Sequence, residues 1–112
     1  KVVAGVCAAM GAGYELTFRR GYPPTVNDAA MADVVRHAAA AVVGAERVVE
    51  PERTMGGEDM SFFLKRVPGC FYCLGVGREG AAPLHNSKFD FNEELMLLAV
   101  ETHCRVALEL LG

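Results

Sequence analysis

The alternation of apolar and polar positions divides the chain into short segments of changing period. Over Lys1–Gly11, Val2, Val3, Val6 and Met10 recur among alanines at the spacing of one helix face, and the segment stops at Gly11 or Gly13. Tyr14-Glu15-Leu16-Thr17-Phe18-Arg19-Arg20 then alternates with a period of two up to Gly21, which predicts a strand with one wet face. Gly21-Tyr22-Pro23-Pro24-Thr25-Val26 is held extended by its prolines and reads as a connector. Within Ala29–Val43, Met31, Val34, Val35, Ala38, Val42 and Val43 fall on one side at helical spacing, with Asp33, Arg36 and His37 opposite. Asn27-Asp28 can cap this helix and Gly44 can end it.

Arg47-Val48-Val49-Glu50-Pro51 predicts a short strand that its proline terminates. A glycine turn, Thr54-Met55-Gly56-Gly57-Glu58-Asp59, leads into the helical stretch Met60–Arg66. Cys70-Phe71-Tyr72-Cys73-Leu74-Gly75-Val76-Gly77 is apolar without alternation, the pattern of a strand buried on both faces, and so predicts a sheet with helices on both sides. The last helix spans about Asn92 to Leu111, with Leu97, Val100, Cys104, Ala107, Leu108 and Leu111 as its apolar stripe and Glu101–Arg105 as a favourable outer pair. The fold class expected from this order is α/β. Pro23-Pro24 is the boundary expected between residues 1–22 and 23–112, and the first piece, one helix and one strand, is too small for its own core.

Composition narrows the classes. At 112 residues, 52% hydrophobic and 22% charged, the chain has material for one core and no disorder signature. A net charge of −3 and a pI near 5.6 argue against a nucleic-acid partner. No apolar run approaches the roughly 20 residues that span a bilayer, so no membrane partner is expected. Lys1-Val2-Val3-Ala4 lacks the ordered regions of a signal peptide and an initiator methionine, and the chain reads as processed, truncated or cut from a longer one. Cys70 and Cys73, three apart on a predicted strand, point to opposite faces, and no second Cys/His pair completes a zinc knuckle. Buried, reduced thiols in a cytoplasmic protein are therefore expected for all four cysteines.

The candidate chemistry sits in loops. His85 lies between a glycine-punctuated stretch (Gly75, Gly77, Gly80) and the last helix, in neither a helix stripe nor a strand alternation. Ordered neighbours around a reachable imidazole are the usual setting of a metal ligand or general base, although most loop histidines are simply solvated. Glu58 and Asp59 follow Gly56-Gly57; two readings stay open, capping of the next helix or a loop facing a substrate. His37 belongs to a polar face and His103 lies beside an apolar stripe, and neither is given a role.

Four motifs in order, Arg19-Arg20-Gly21-Tyr22-Pro23-Pro24-Thr25-Val26-Asn27-Asp28, Gly57-Glu58-Asp59-Met60-Ser61-Phe62, Phe71-Tyr72-Cys73-Leu74-Gly75-Val76-Gly77, and Pro83-Leu84-His85-Asn86-Ser87-Lys88-Phe89-Asp90-Phe91-Asn92-Glu93-Glu94, carry a resemblance. Together they resemble the C-terminal part of the zinc-type amidohydrolases, the family of hippurate hydrolase, N-acyl-amino-acid amidohydrolases, the plant indole-acetyl-amino-acid hydrolases and carboxypeptidase G. The resemblance covers essentially the whole chain. It implies that residues 1–22 are the last helix and strand of an α+β lid and dimerisation domain. Residues 23–112 would close a zinc-peptidase-like catalytic α/β domain, and the intact protein would be a homodimer through its lid.

The same resemblance implies an enzyme that hydrolyses the amide bond of N-acyl amino acids or small peptides with two divalent metal ions (Zn, Mn or Co) and a metal-activated water. His85 matches the family's metal-binding histidine, and Gly57, Glu58 and Asp59 match a loop near the substrate end of the pocket. The general base and the other ligands belong to sequence outside these residues, so no catalytic residue is expected here and the isolated chain should be inactive. The competing expectation is a non-catalytic lid or scaffold module, or one chain of a split assembly.

Overall fold

Helices need only neighbours in sequence, and every regular element of this chain is helical. The computed structural model describes residues 1–112 and contains α1 (Val2–Ala9), α2 (Ala29–Val43), α3 (Met60–Leu64) and α4 (Met96–Leu111), with single 3₁₀ turns at Ala45–Arg47 and Glu93–Leu95. The Asp28 carboxylate accepts the Met31 amide at 3.0 Å, satisfying an otherwise orphaned donor at the start of α2. Gly44, at φ 90°, ends α2 in a conformation that an L side chain resists. Asn92 caps the turn that leads into α4 through the Glu94 amide at 3.1 Å. On the outer face of α4, Arg105 grips Glu101 with Nε at 2.9 Å and Nη2 at 2.8 Å.

There is no sheet. Of 51 backbone hydrogen bonds, 32 lie inside the helices, and among the other 19 a single one, from the Asp28 amide to the Gly69 carbonyl at 3.0 Å, joins distant residues. The strands expected at 14–20, 47–51 and 70–77 are absent, and with them the α/β architecture of helices on both faces of a sheet. The physical reason is that a strand's donors and acceptors are satisfied by a second strand alongside it. None of these three segments lies in ladder register with another. The lid-end strand expected within residues 1–22 is missing for the same reason.

α2 and α4 are the one pair of α-helices that pack together. The stripe expected on α2 turns inward: Met31, Val34, Val35, Val42 and Val43 are half-buried and Ala38 is buried. α4 meets it with a different face from the one expected. Thr102 is buried, with Leu98, Ala99 and Val106 half-buried, while Leu97, Val100, Leu108 and Leu111 stay exposed. The Thr102 hydroxyl donates to the Leu98 carbonyl at 2.7 Å, which removes the cost of burying a free hydroxyl.

Beyond that pair the chain is open. Only three of 112 residues are buried, and 9742 Å² of surface is accessible where a compact protein of this mass would show roughly 6,000 Å². The radius of gyration is 20.4 Å against about 13 Å expected for a compact domain of this length. α1 touches no other element, and Val2, Val6 and Met10 along it are exposed.

One junction holds the middle of the chain. The Asn27 side chain pairs reciprocally with the backbone of Phe71: its Oδ1 accepts the Phe71 amide and its Nδ2 donates to the Phe71 carbonyl, both at 2.8 Å. Nδ2 also lies 3.3 Å from the Cys70 sulfur. Asn27 is therefore a cross-chain clamp, and the capping expected of Asn27-Asp28 is done by Asp28 alone. Arg36 on α2 bonds Asp33 and Glu50, tying the segment after the Ala45–Arg47 turn back to the helix.

Burial pushes the Cys70 thiol above the ordinary thiol range; the nearby Arg36 charge opposes the shift and Glu50 adds to it. Two outcomes are expected. Asp28→Ala costs about 1 kcal/mol of α2 stability, seen as lost helical circular dichroism on heating. At about pH 8, iodoacetamide labels the exposed Cys73 and Cys104 before Cys70, because a raised pKa lowers the thiolate fraction; preferential labelling of Cys70 in a mass map contradicts the burial.

Candidate functional site

His85 occupies a tight turn. The Asn86 amide donates to the Pro83 carbonyl at 3.1 Å, which places Leu84 and His85 at the two central positions. His85 has φ 67°, the only positive value at a non-glycine residue. Positive φ at the second central position alone is the type II pattern, where glycine or asparagine is usual and histidine is tolerated better than most residues. Asn86 then fixes the following turn: its Oδ1 accepts the Lys88 amide at 2.8 Å and its carbonyl accepts the Phe89 amide at 2.9 Å. The imidazole, pushed outward by this backbone, is exposed and makes no hydrogen bond of its own.

Flanking residues brace the turn. Asp90 accepts from Arg78 Nη2 at 3.0 Å, joining the glycine-rich stretch to the far side of the His85 loop. Phe89 and Phe91 stack with ring centroids 6.1 Å apart. A hollow of ≈ 340 Å³, lined by residues 78–82 with Lys88 and Asp90, lies beside this brace. The sequence offered no pattern for the Arg78–Asp90 pair, whose partners sit 12 positions apart in irregular segments.

The Gly57-Glu58-Asp59 loop is built differently. Half-buried Glu58 turns back on the start of α3, its Oε1 accepting the Met60 amide at 3.2 Å and its carbonyl accepting the Ser61 amide at 3.2 Å. Asp59 is exposed, and its side chain makes no capping bond. The helix-capping role thus falls to Glu58, and Asp59 is the carboxylate left to solvent. Gly57 is under the ring of Tyr22: a Cβ at this position would stand 2.7 Å from Tyr22 Cδ2. The same ring meets Phe62 edge-on at 5.8 Å. Ser61, next to Phe62 in α3, is fully buried with its hydroxyl oxygen unpartnered.

The structure therefore brings three of the four motifs together, through Tyr22 on Gly57 and Phe62 and through Asn27 on Phe71, and attaches the His85 loop by Arg78–Asp90. No hydrogen bond or ion pair connects His85 with Glu58 or Asp59. No three His, Cys, Asp or Glu side chains stand close enough to share a metal ion. By donor chemistry an imidazole such as that of His85 suits one position of a divalent centre. Of the other histidines, His37 lines a groove of ≈ 250 Å³ between α2 and α4 with Arg105 and Glu109. His103 Nδ1 is 2.8 Å from the Ala99 carbonyl and 3.0 Å from the Tyr72 hydroxyl, a structural placement. Burial raises the Tyr72 pKa, with the nearby Cys70 adding to the shift. Tyr22 and Asn27 are the residues that sequence reasoning undervalued; a bulky ring five positions before a polar residue carries no periodic signal.

Comparison with known proteins places these features. A protein of Bacillus subtilis (strain 168) whose name sets it among the amidohydrolases, YhaA, is 38% identical over 103 residues, which is 89% of this chain and 26% of the relative. Thermostable carboxypeptidase 1 of Saccharolobus solfataricus is 33% identical over 113 residues, 97% of this chain and 28% of its own. The IAA-amino acid hydrolase ILR1-like 4 of Arabidopsis thaliana is 34% identical over 89 residues, 77% of this chain and 20% of that protein. The chain thus spans about a quarter of the length of these curated relatives. No solved structure matches it. The model of the peptidase family M20/M25/M40 aligns with residues 2–109, and a match running through all four motifs, among relatives named as hydrolases of amide and peptide bonds, establishes that the chain belongs to that family.

Proposed function

We propose that these residues are the C-terminal part of a metal-dependent amidohydrolase that cleaves the amide bond of N-acyl amino acids, hippurate-like compounds or small peptides. The observation that carries the proposal is the outward, unpartnered His85 imidazole on a doubly locked turn, within a chain of the M20/M25/M40 family. His85 would hold a divalent ion (Zn, Mn or Co), one of a pair in the intact site, with its remaining ligands outside these residues. When bound, such an ion supplies a water of lowered pKa and a positive charge for the carbonyl oxygen. The contribution of this chain is to present one imidazole from a backbone held in a fixed turn and, through Gly57, Glu58 and Asp59, a loop toward the substrate. Asp59 is the side chain free to meet a polar or cationic substrate group, and Glu58 shapes the loop.

Residues 1–22 are assigned in this reading to the end of a lid domain that also pairs two copies, and residues 23–112 to the catalytic part. Four free cysteines and the absence of any helix long and apolar enough to cross a membrane accord with a cytoplasmic setting. A second reading, a scaffold module or one chain of a split assembly, draws on the exposed apolar residues of α1 and α4. The intact mass of the polypeptide under denaturing conditions separates the two, since a complete enzyme has a polypeptide mass several-fold above 12.0 kDa and one chain of a split assembly does not.

His85→Asn is the decisive variant, because asparagine also accepts positive φ and so preserves the turn. In the intact enzyme it is expected to lower bound metal and to cut turnover of a hippurate-like substrate by at least about 100-fold, with the melting temperature kept. Unchanged metal content and turnover would remove His85 from the site. Asp59→Asn is expected to raise KM about fivefold with kcat retained, the loss of one charged contact of about 1 kcal/mol; an unaltered KM would take the loop out of substrate binding.

A further inference from the structure

We infer that Tyr22–Asn27 is a strut anchored at both ends, which mechanically couples the segment before Gly21 to the Gly57–Asp59 loop, with Tyr22 and Asn27 as positioning residues. At one end the Tyr22 ring sits on Gly57, so close that a Cβ there would be 2.7 Å from it, and meets Phe62 edge-on. At the other end Asn27 makes the reciprocal 2.8 Å pair with Phe71, reinforced by the Asp28 amide on the Gly69 carbonyl at 3.0 Å.

Between the two anchors lie Pro23-Pro24-Thr25-Val26, with no backbone hydrogen bond of their own. Two consecutive prolines fix φ in a row and restrict the residues before them, so this stretch resists bending far better than an ordinary linker. In the polyproline form the five steps from Tyr22 to Asn27 would span about 15 Å. A stiff rod held at both ends transmits displacement. If Gly21 is pulled, Tyr22 moves, and the ring either carries Gly57 with it or breaks its contact.

The surroundings favour transmission over slippage. Tyr22 touches both the loop, at Gly57, and the helix that follows it, at Phe62, so its end of the rod has two points of contact. The Asn27 end carries the one long-range backbone hydrogen bond of the chain beside it. In an otherwise open structure, this rod links the 57–62 and 69–71 segments alongside the chain itself, which runs between them through α3 and the turn where the Val67 amide bonds the Phe63 carbonyl and Leu64 stands against Gly69. The consequence for substrate, though not the coupling itself, rests on the proposed role of the 57–59 loop.

The experiment uses the full chain and reads hydrogen exchange at each end while the other end is altered. Tyr22→Leu is expected to raise exchange at the remote Phe71 amide, and Asn27→Ala at the remote Met60, Ser61 and Phe62 amides, each by about tenfold or more. Tyr22→Phe keeps the ring on Gly57 and is expected to exchange as the unaltered chain does. Effects confined to the altered end in both variants would overturn the strut, and two variants guard against one that fails to fold. KM for a hippurate-like substrate is read in parallel on the intact enzyme carrying the same substitutions. Remote exchange with an unchanged KM upholds the strut and removes the loop from substrate binding, whereas local exchange with a raised KM overturns the strut and leaves the loop in place.

Discussion

A primary amide can imitate a neighbouring backbone, offering one donor and one acceptor at the spacing of a peptide group. Asn27 does this for Phe71, and much of the chain's organisation follows from it. Without a sheet, the segment from Gly69 to Gly77 has no ladder to hold it, and the Asn27 pair with the Asp28–Gly69 bond fixes its beginning against the start of α2. The same anchor sets where Tyr22 can reach, and hence which loop its ring covers. Since α2 also packs on α4, the three motifs around the clamp and the last helix share one frame.

What was legible in the sequence is what is determined locally. α2 shows its inward stripe, its capping aspartate and its terminating Gly44, because helical hydrogen bonds join residues four apart and the pattern and its consequence lie in one window. The expected strands at 14–20 and 70–77 rest on equally plain patterns, alternation in the first and an unbroken apolar run in the second, yet such patterns describe the faces of a strand and say nothing of its partner. α4 shows a second failure. Leu97, Val100, Leu108 and Leu111 form one apolar stripe and Leu95, Leu98, Ala99 and Val106 another, so periodicity leaves two faces competing. The face carrying Thr102 meets α2, an outcome that counting apolar residues could not favour. At the candidate site, His85 stood out because no packing pattern claimed it. Its turn geometry and the division of labour between Glu58 and Asp59 depend on backbone angles and non-local contacts that residue types do not encode.

The open shape has a simple energetic basis. Burying apolar surface stabilises by roughly 25 cal/mol per Å², and a chain exposing several thousand Å² more than a compact protein of its mass forgoes a substantial part of that gain. Spanning about a quarter of the length of its relatives, it presents faces that a longer family member has more chain to cover. The tight spots, at Ala38 and Thr102 and around Ser61, are places where these residues suffice by themselves.

The backbone at His85 also limits which substitutions descent can explore. At φ 67° asparagine, aspartate, histidine and glycine are accommodated most readily, whereas β-branched or bulky residues are strained. The side chains that bind divalent ions through nitrogen, sulfur or oxygen form a different short set, in which cysteine and glutamate would ordinarily compete with histidine. The two sets overlap in histidine and aspartate. A lineage that kept both the turn and a ligand at this position could therefore exchange one oxygen donor for one imidazole, but the routes through cysteine or glutamate would first have to rebuild the loop.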